Sequence, residues 1–306
     1  MRSSLASLTL TIALIVPAGV ASASTVSLDG TTMDYQAGPK ASDVITNLEL
    51  QLKELLQPVT VGAGCVAGPP ISCPGAQSAR FEFGNKSDAF RGFSFATYTV
   101  NGNGGADSLR TAGGTNIVSG GDGRDRIWEN GNFPGTVHGD DGDDKIFSFE
   151  HASEVHGDAD DDLLVTSAGG NVITGDTGND VIAPLSGFGS ASGGSGADTI
   201  VTPAGGSRSW TINGGAGADT IRAIAGSDTV TGGDGNDVID VSGDSGTPDS
   251  VSCGNGRYDT VYADADDVID ADCETVSDSA PTLTAVDDAR AAAAAFRATM
   301  PDIPAF

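Results

Sequence analysis

Aromatic side chains make up only 6% of these 306 residues, and hydrophobic residues of every kind only 38%. A chain so poor in bulk cannot fill the interior of a compact globule of its length, so a thin, repetitive body suits it better. Positive charge is also scarce: 15 lysines and arginines stand against 42 aspartates and glutamates, a formal net charge of −27. That excess repels nucleic acid and anionic membrane, and makes cations the natural partners. Only His138, His151 and His156 are available as imidazoles, and no His-Glu-x-x-His occurs, which excludes a zinc-peptidase helix. Past residue 20 no hydrophobic run is long enough to span a bilayer.

Residues 1–23 carry one early positive charge, Arg2, then an apolar run from Leu8 to Val20 and the small-residue pattern Ala21-Ser-Ala23. This reads as a secretory signal peptide and predicts a secreted, extracellular protein. An oxidising compartment favours pairing of the four cysteines, and proximity favours Cys65 with Cys73 and Cys253 with Cys273. Zinc is the competing use of cysteine, but no Cys-x-x-Cys or matching histidine spacing supports it.

What the sequence does have is a column of nine aspartates: Asp107, Asp125, Asp144, Asp162, Asp180, Asp198, Asp219, Asp237 and Asp259. Each ends a glycine-rich turn and stands two residues before an aliphatic, from Leu109 and Ile127 through to Ile239 and Val261. The turns begin at Gly102, Gly120, Gly139, Gly157, Gly175, Gly193, Gly214, Gly232 and Cys253, mostly 18 residues apart. A second aliphatic column, including Val118, Val137, Val155, Ile173, Ile212 and Val230, lies two residues before the turn starts. One aliphatic about every nine residues implies two short strands per coil, stacking into two parallel sheets across a narrow core. The expected fold is all-β, a parallel β-roll or β-solenoid of about nine 18-residue coils, on the order of 40 Å long at ~4.8 Å per coil.

Turns such as Gly120-Gly-Asp-Gly-Arg-Asp125, Gly193-Gly-Ser-Gly-Ala-Asp198 and Gly232-Gly-Asp-Gly-Asn-Asp237 resemble the Gly-Gly-x-Gly-x-Asp-x-aliphatic-x nonapeptide of the RTX, or haemolysin-type, calcium-binding repeat family. The resemblance covers residues 100–274. It implies that the first six residues of each repeat form a calcium-binding turn and the last three a strand. Calcium is a hard ion that takes six to eight oxygens, so carboxylates and inward-turned backbone carbonyls must combine. One turn cannot supply them all, so ions are expected between turns of adjacent coils. Nine turns leave eight such intervals, hence up to about eight Ca²⁺ on one edge of the roll, with backbone at Gly120, Gly139, Gly157, Gly175, Gly193, Gly214 and Gly232 beside the nine carboxylates.

Rolls of that family commonly carry the motif in every nonapeptide. Here the intervening halves, such as Thr111-Ala-Gly-Gly-Thr-Asn-Ile-Val-Ser119, keep glycines and lose the aspartate. The expected ladder is one-sided, the other edge being metal-free and closed by hydrogen bonds with Asn116 and Asn171 as candidates. Asn103 and Asp160, each in a glycine position, and the extra residue in Cys253-Gly-Asn-Gly-Arg-Tyr-Asp259 suggest weaker sites. Without calcium, the packed aspartates and abundant glycine should leave the chain largely unfolded.

Around the roll, residues 24–80 read as a β-rich capping region, although Val44, Leu48, Leu52, Leu55 and Leu56 would also suit a helix face. Phe83 to Phe90, with Asp88, reads as a degenerate first coil opening the roll at residues 81–274. Residues 275–306 read as a polar linker followed by a short alanine-rich helix without an apolar stripe.

No catalytic residue is expected. Gly243-Asp-Ser-Gly246 is similar to the nucleophile segment of chymotrypsin-like proteases but has no histidine segment to match, and Arg124, Arg126, Arg208, Arg222 and Arg257 are too scattered for a polysaccharide-active groove. The reading is a secreted calcium-binding structural or surface-associated protein without membrane insertion. A calcium-dependent adhesin with a cell-surface or polysaccharide partner is the alternative, and a polysaccharide-active solenoid enzyme a more remote one.

Overall fold

The computed structural model describes residues 78–92, 97–131, 133–149, 153–167, 169–203, 208–278 and 283–298. Before residue 78 it describes seven strands: Thr9–Leu14, Ser24–Asp29, Thr32–Gln36, Val44–Thr46, Glu49–Leu52, Val59–Val61 and Ile71–Pro74. The chain divides into two units, residues 1–138 and 139–306. Both are built from coils of a parallel β-solenoid, about ten turns in all.

In residues 1–138, Ala89–Arg91, Ser108–Ala112 and Arg126–Asn130 pair in parallel in one sheet, while Ser78–Glu82, Thr97–Asn101 and Asn116–Ser119 do so in the other. Successive side chains of a strand point to opposite faces, so each three-residue strand needs only one inward aliphatic. Those residues fall in register: Phe90, Leu109 and Ile127 in one sheet, Phe81, Val100, Val118 and Val137 in the other. The coil around Asp88 is a true coil, filled by rings where later coils have aliphatics, with Phe81 and Phe90 centroids 4.6 Å apart.

Upstream strands prolong both sheets. Thr32–Gln36 lies parallel to Ser78–Glu82 and Val44–Thr46 parallel to Ala89–Arg91, and beyond them the pairing becomes mixed. Pairing of this kind covers the open edge of the first coil. Residues 49–52 form a strand, as their alternation allows, and not part of a helix. In the full chain, Thr9–Leu14, within the segment read as a signal peptide, pairs with Glu49–Leu52 and Ile71–Pro74. The expected Cys65–Cys73 pair lies outside the described residues.

In residues 139–306 the two sheets run without a change of direction. Ile146, Leu164, Ile182, Ile200, Ile221, Ile239 and Val261 align in one sheet, and Val155, Ile173, Ala191, Ile212, Val230 and Val251 in the other. All are buried. The extra residues of the longer steps leave this register intact, with the turn around residues 244–247 taking up one of them.

Two expectations about the tail need correction. Residues 275–277 are not linker but a last strand, Thr275–Ser277, parallel to Thr260–Tyr262. Helix α1 (Thr284–Ala298) also has an apolar stripe, because Val286, Ala289, Ala293 and Phe296 recur at helical spacing and are all buried. It packs on Thr199–Val201 and Thr220–Arg222, with Val286 and Ala289 against Val201 and Phe296 edge-on to Phe147 at 6.3 Å. Alanine serves here as a core residue, its small side chain suiting a helix laid against a sheet.

Candidate metal centre

The glycine-rich turns end on aspartates, and within each unit the carboxylate of one turn is held by the main chain of the turn before it. In residues 139–306 the main-chain N–H of Asp144 donates to Oδ1 of Asp162 (2.8 Å), Asp162 to Asp180 (2.9 Å), Asp180 to Asp198 (2.8 Å), Asp198 to Asp219 (2.9 Å), Asp219 to Asp237 (2.9 Å) and Asp237 to Asp259 (2.8 Å). In residues 1–138 Asp88 donates to Asp107 (2.6 Å) and Asp107 to Asp125 (2.7 Å). All nine aspartates of the column are buried. The extra residue before Asp259 does not break the ladder.

Two members were not among the expected site residues. Asp88 begins the series, its Oδ2 accepting from the Gly84 N–H at 3.3 Å. Glu274 ends it, its Oε2 accepting from the Asp259 N–H at 3.0 Å. Glu274-Thr275-Val276 repeats the acid-x-aliphatic spacing with glutamate in place of aspartate, a signal that was readable in the sequence.

The second carboxylate oxygen behaves differently. Oδ2 of Asp107, Asp162, Asp180, Asp198, Asp219, Asp237 and Asp259 is buried without a hydrogen-bond partner. An orphaned anionic oxygen is costly, and a row of them is a demand for positive charge. The glycine opening each turn explains what surrounds it. A Cβ on Gly175 would overlap both Oδ2 of Asp180 and the carbonyl oxygen of Gly193 in the next coil, and Gly139, Gly157, Gly193, Gly214 and Gly232 repeat the arrangement. Gly120 supplies the carbonyl facing Gly102 in the same way. These glycines are there for the space and oxygens that a side chain would block.

The other two turn positions need backbone freedom. At the second, Asn103, Asp140, Asp158 and Asp176 adopt φ of 65 to 75°, the left-handed region that asparagine and aspartate tolerate, with glycine elsewhere. At the fourth, Asp160 holds φ 75° where glycines such as Gly178 and Gly196 reach 146° and 141°. Asp160 thus departs locally from its neighbours, in line with its odd place in the pattern.

Burial is the largest cause pushing the carboxyls upward, followed in opposition by the N–H bond each accepts and then by neighbouring carboxylates. Asp107 is raised to about 8, Asp162 to about 9, Asp180 to about 7, and Asp219 and Asp237 to about 6. Asp198 and Asp259 are raised as well. Buried anionic oxygens beside backbone carbonyls, with nitrogen and sulfur absent from the donor set, fit a hard divalent cation of the calcium type.

The last coil is tied down covalently by a Cys253–Cys273 disulfide, as proximity suggested. Asp272 beside it accepts from the Gly254 N–H and the Ser252 hydroxyl, both at 2.9 Å. His156 has its Nδ1 3.3 Å from Oδ2 of Asp176, a hydrogen-bonding distance across adjacent turns.

The opposite edge is closed by hydrogen bonds where asparagine was expected to do so. Oδ1 of Asn171 accepts from the Ser153 N–H at 3.1 Å, and Nδ2 of Asn116 donates to Glu129 at 3.0 Å. That edge is not free of aspartates throughout, however. Trp210 donates from its main chain to Asp228, Asp228 to Asp249 and Asp249 to Asp267. The repeat pattern hid these three because their turns lack the paired glycines.

Residues 99–128, 156–189 and 211–247 match the family model of the RTX calcium-binding nonapeptide repeat (4 copies). Neither the curated proteins nor the solved structures compared with the chain gave a match.

Proposed function

Starting from a chain that carries RTX calcium-binding nonapeptide repeats, we propose a secreted calcium-binding structural protein whose roll folds as the ions bind. The proposed ligands are the carboxylates of Asp107, Asp125, Asp144, Asp162, Asp180, Asp198, Asp219, Asp237 and Asp259, with carbonyls of the adjacent turns, up to about eight ions along this edge. The row of buried, unpartnered Oδ2 atoms carries this reading. Bound calcium supplies the positive charge that relieves repulsion along the column. The protein's part is to hold one oxygen of each carboxylate through a backbone N–H and so aim the other.

Export through the N-terminal segment accounts for the design. Extracellular calcium modules bind at about 10⁻⁴ to 10⁻³ M, so such a chain would stay extended in calcium-poor cytosol and fold outside. A nonenzymatic role agrees with the basic side chains: Arg222 is engaged by Asp240 at 3.1 Å, and Arg208 stands over the Phe188 ring at 4.9 Å. The test is a calcium titration followed by calorimetry and circular dichroism. Heat of binding together with a gain of β-structure is expected; a full β-signal in EDTA would remove the coupled folding, and no binding heat would remove the function.

A further inference from the structure

The last coil of residues 139–306 leaves an open sheet edge on its forward side, the side away from the coil before it. Thr275–Ser277 and Val268–Ile269 are the outermost strands of the two sheets. Their main chains bond backward: the N–H groups of Thr275, Val268 and Asp270 donate to the carbonyls of Asp259, Asp249 and Val251, and the Ser277 carbonyl accepts from Ala263. Successive residues of a strand turn their N–H and C=O groups to opposite sides, so those of Val276 and Ile269 point forward. No strand follows there among the described residues.

The core is open at the same place. Val276 continues the column of Val261, yet Val276 is 54% exposed where Val261 is 0%. Val276, Ile269 and Ala263 line an open cleft of about 560 Å³ together with Asp264, Asp267 and Asp278. Residues 264–278 carry seven acidic side chains, and no lysine, arginine or histidine occurs from Tyr258 to Ala289. Asp266, Asp270, Glu274 and Asp278 are exposed. Forward-facing backbone groups, an uncovered aliphatic and charge of one sign are what a strand-adding partner of the opposite sign would use. Acids on an edge turn away neutral and acidic strands, and by the same field they select a basic one.

Two nearer occupants do not fit. Helix α1 reaches Phe147 with Phe296, two residues before its end, and seven ladder steps separate that strand from Thr275–Ser277. Seven steps are about 34 Å at ~4.8 Å each, whereas the eight residues 299–306 span at most about 29 Å. A second copy brings the same acidic end and a net charge of −27, which repels. We infer that this end of the roll is a docking edge for an extended, basic segment of a partner protein. The segment adds as a further strand beside Thr275–Ser277, sets an aliphatic side chain on Val276 and Ile269, and brings lysine or arginine to Asp264 and Asp278. This edge stands apart from the calcium reading, since it uses other residues and needs only a folded last coil.

Fluorescence anisotropy tests it, with the full chain in calcium-containing buffer, a labelled heptapeptide of alternating lysine and valine as probe, and circular dichroism as the folding control. Wild type should bind this peptide, and should bind glutamate–valine and lysine–serine counterparts at least ~10-fold more weakly. V276P removes one forward N–H and keeps the backward bonds of Thr275 and Ser277, while D278K reverses an exposed charge of the cleft. Each should weaken the lysine–valine peptide ~10-fold with the β-signal unchanged. D288K, the same reversal on α1, should leave the affinity as it was. No binding by wild type, equal binding of the lysine–serine peptide, unchanged affinity in D278K or an equal loss in D288K overturns the inference. Unchanged affinity in a folded V276P does so too; if V276P does not fold, D278K against D288K decides. Wild-type dimers in sedimentation velocity that V276P dissociates would give the edge to a second copy and overturn the basic partner.

Discussion

The main-chain N–H of Asp162 donates to Oδ1 of Asp180 at 2.9 Å, while Oδ2 of the same carboxylate is buried without a hydrogen-bond partner. The two oxygens of one side chain thus have separate jobs. One splices successive coils, and the other is left open beside the carbonyl of the next turn.

Asp180→Asn separates those jobs. The amide oxygen still accepts from Asp162, so the calcium-loaded fold should survive, but calcium affinity should fall by at least the ~10–100-fold that loss of even an outer-shell partner costs. Calorimetry on the variant checks this; unchanged affinity would remove Asp180 from the ligand set.

Gly175→Ala should be more damaging than its size suggests. The new Cβ overlaps Oδ2 of Asp180 and the carbonyl of Gly193, atoms that cannot swing aside. Overpacking of this kind costs about 1–3 kcal/mol, with weakened calcium uptake in addition. Gly104→Ala is the control, since its Cβ meets nothing closer than 3.7 Å. Thermal denaturation in calcium should show a lower Tm for the first and little change for the second.

Acid should partly replace calcium. Asp162 at about 9 and Asp180 at about 7 lie above their ordinary 3.8, raised chiefly by burial, so the folded metal-free chain holds protons that the unfolded chain releases. Stability from this source is fully present below about pH 4 and is lost as pH rises through about 6 to 9, whereas calcium uptake strengthens over the same range. Circular dichroism in EDTA should therefore show more β-structure near pH 5 than near pH 8.5. The reverse order would contradict the burial of these carboxyls.

Replacing Cys253 and Cys273 together by serine should lower stability by about 3 kcal/mol, the scale for closing a loop of some twenty residues. The loss should concentrate in the last coil, where Asp259 donates to Glu274 beside the disulfide. Hydrogen exchange by segment would locate it; uniform loss of protection would show that the staple acts elsewhere.

Phe296→Ala should free helix α1. Phe296 is 5% exposed and meets Phe147, and buried Phe→Ala changes cost about 3–5 kcal/mol. A fifteen-residue helix is marginal without tertiary contacts, so proteolysis should cut within residues 284–298 in the variant and spare the wild type.

The periodic features were legible because they repeat locally. Ile182 and Ile200 had to align once 18 residues made one coil, and the aspartate two places before each had to fall on one edge. Glu274 was equally legible but wore a different side chain. Asp228, Asp249 and Asp267 were harder to see: their turns follow no shared glycine pattern, and only the parallel pairing of Thr229, Ser250 and Val268 sets them in one column.

By itself the sequence determined the two-sheet roll, its coil length and the edge on which the main carboxylates stand, since all three follow from spacing along the chain. The tertiary structure alone decided which oxygen of each aspartate is left open, that a second acidic group gathers on the far edge, and that α1 lies on the sheet through Val286, Ala289 and Phe296. Those outcomes depend on atoms from different coils, or from sheet and helix, meeting in space, and no period in one strand of residues encodes that meeting.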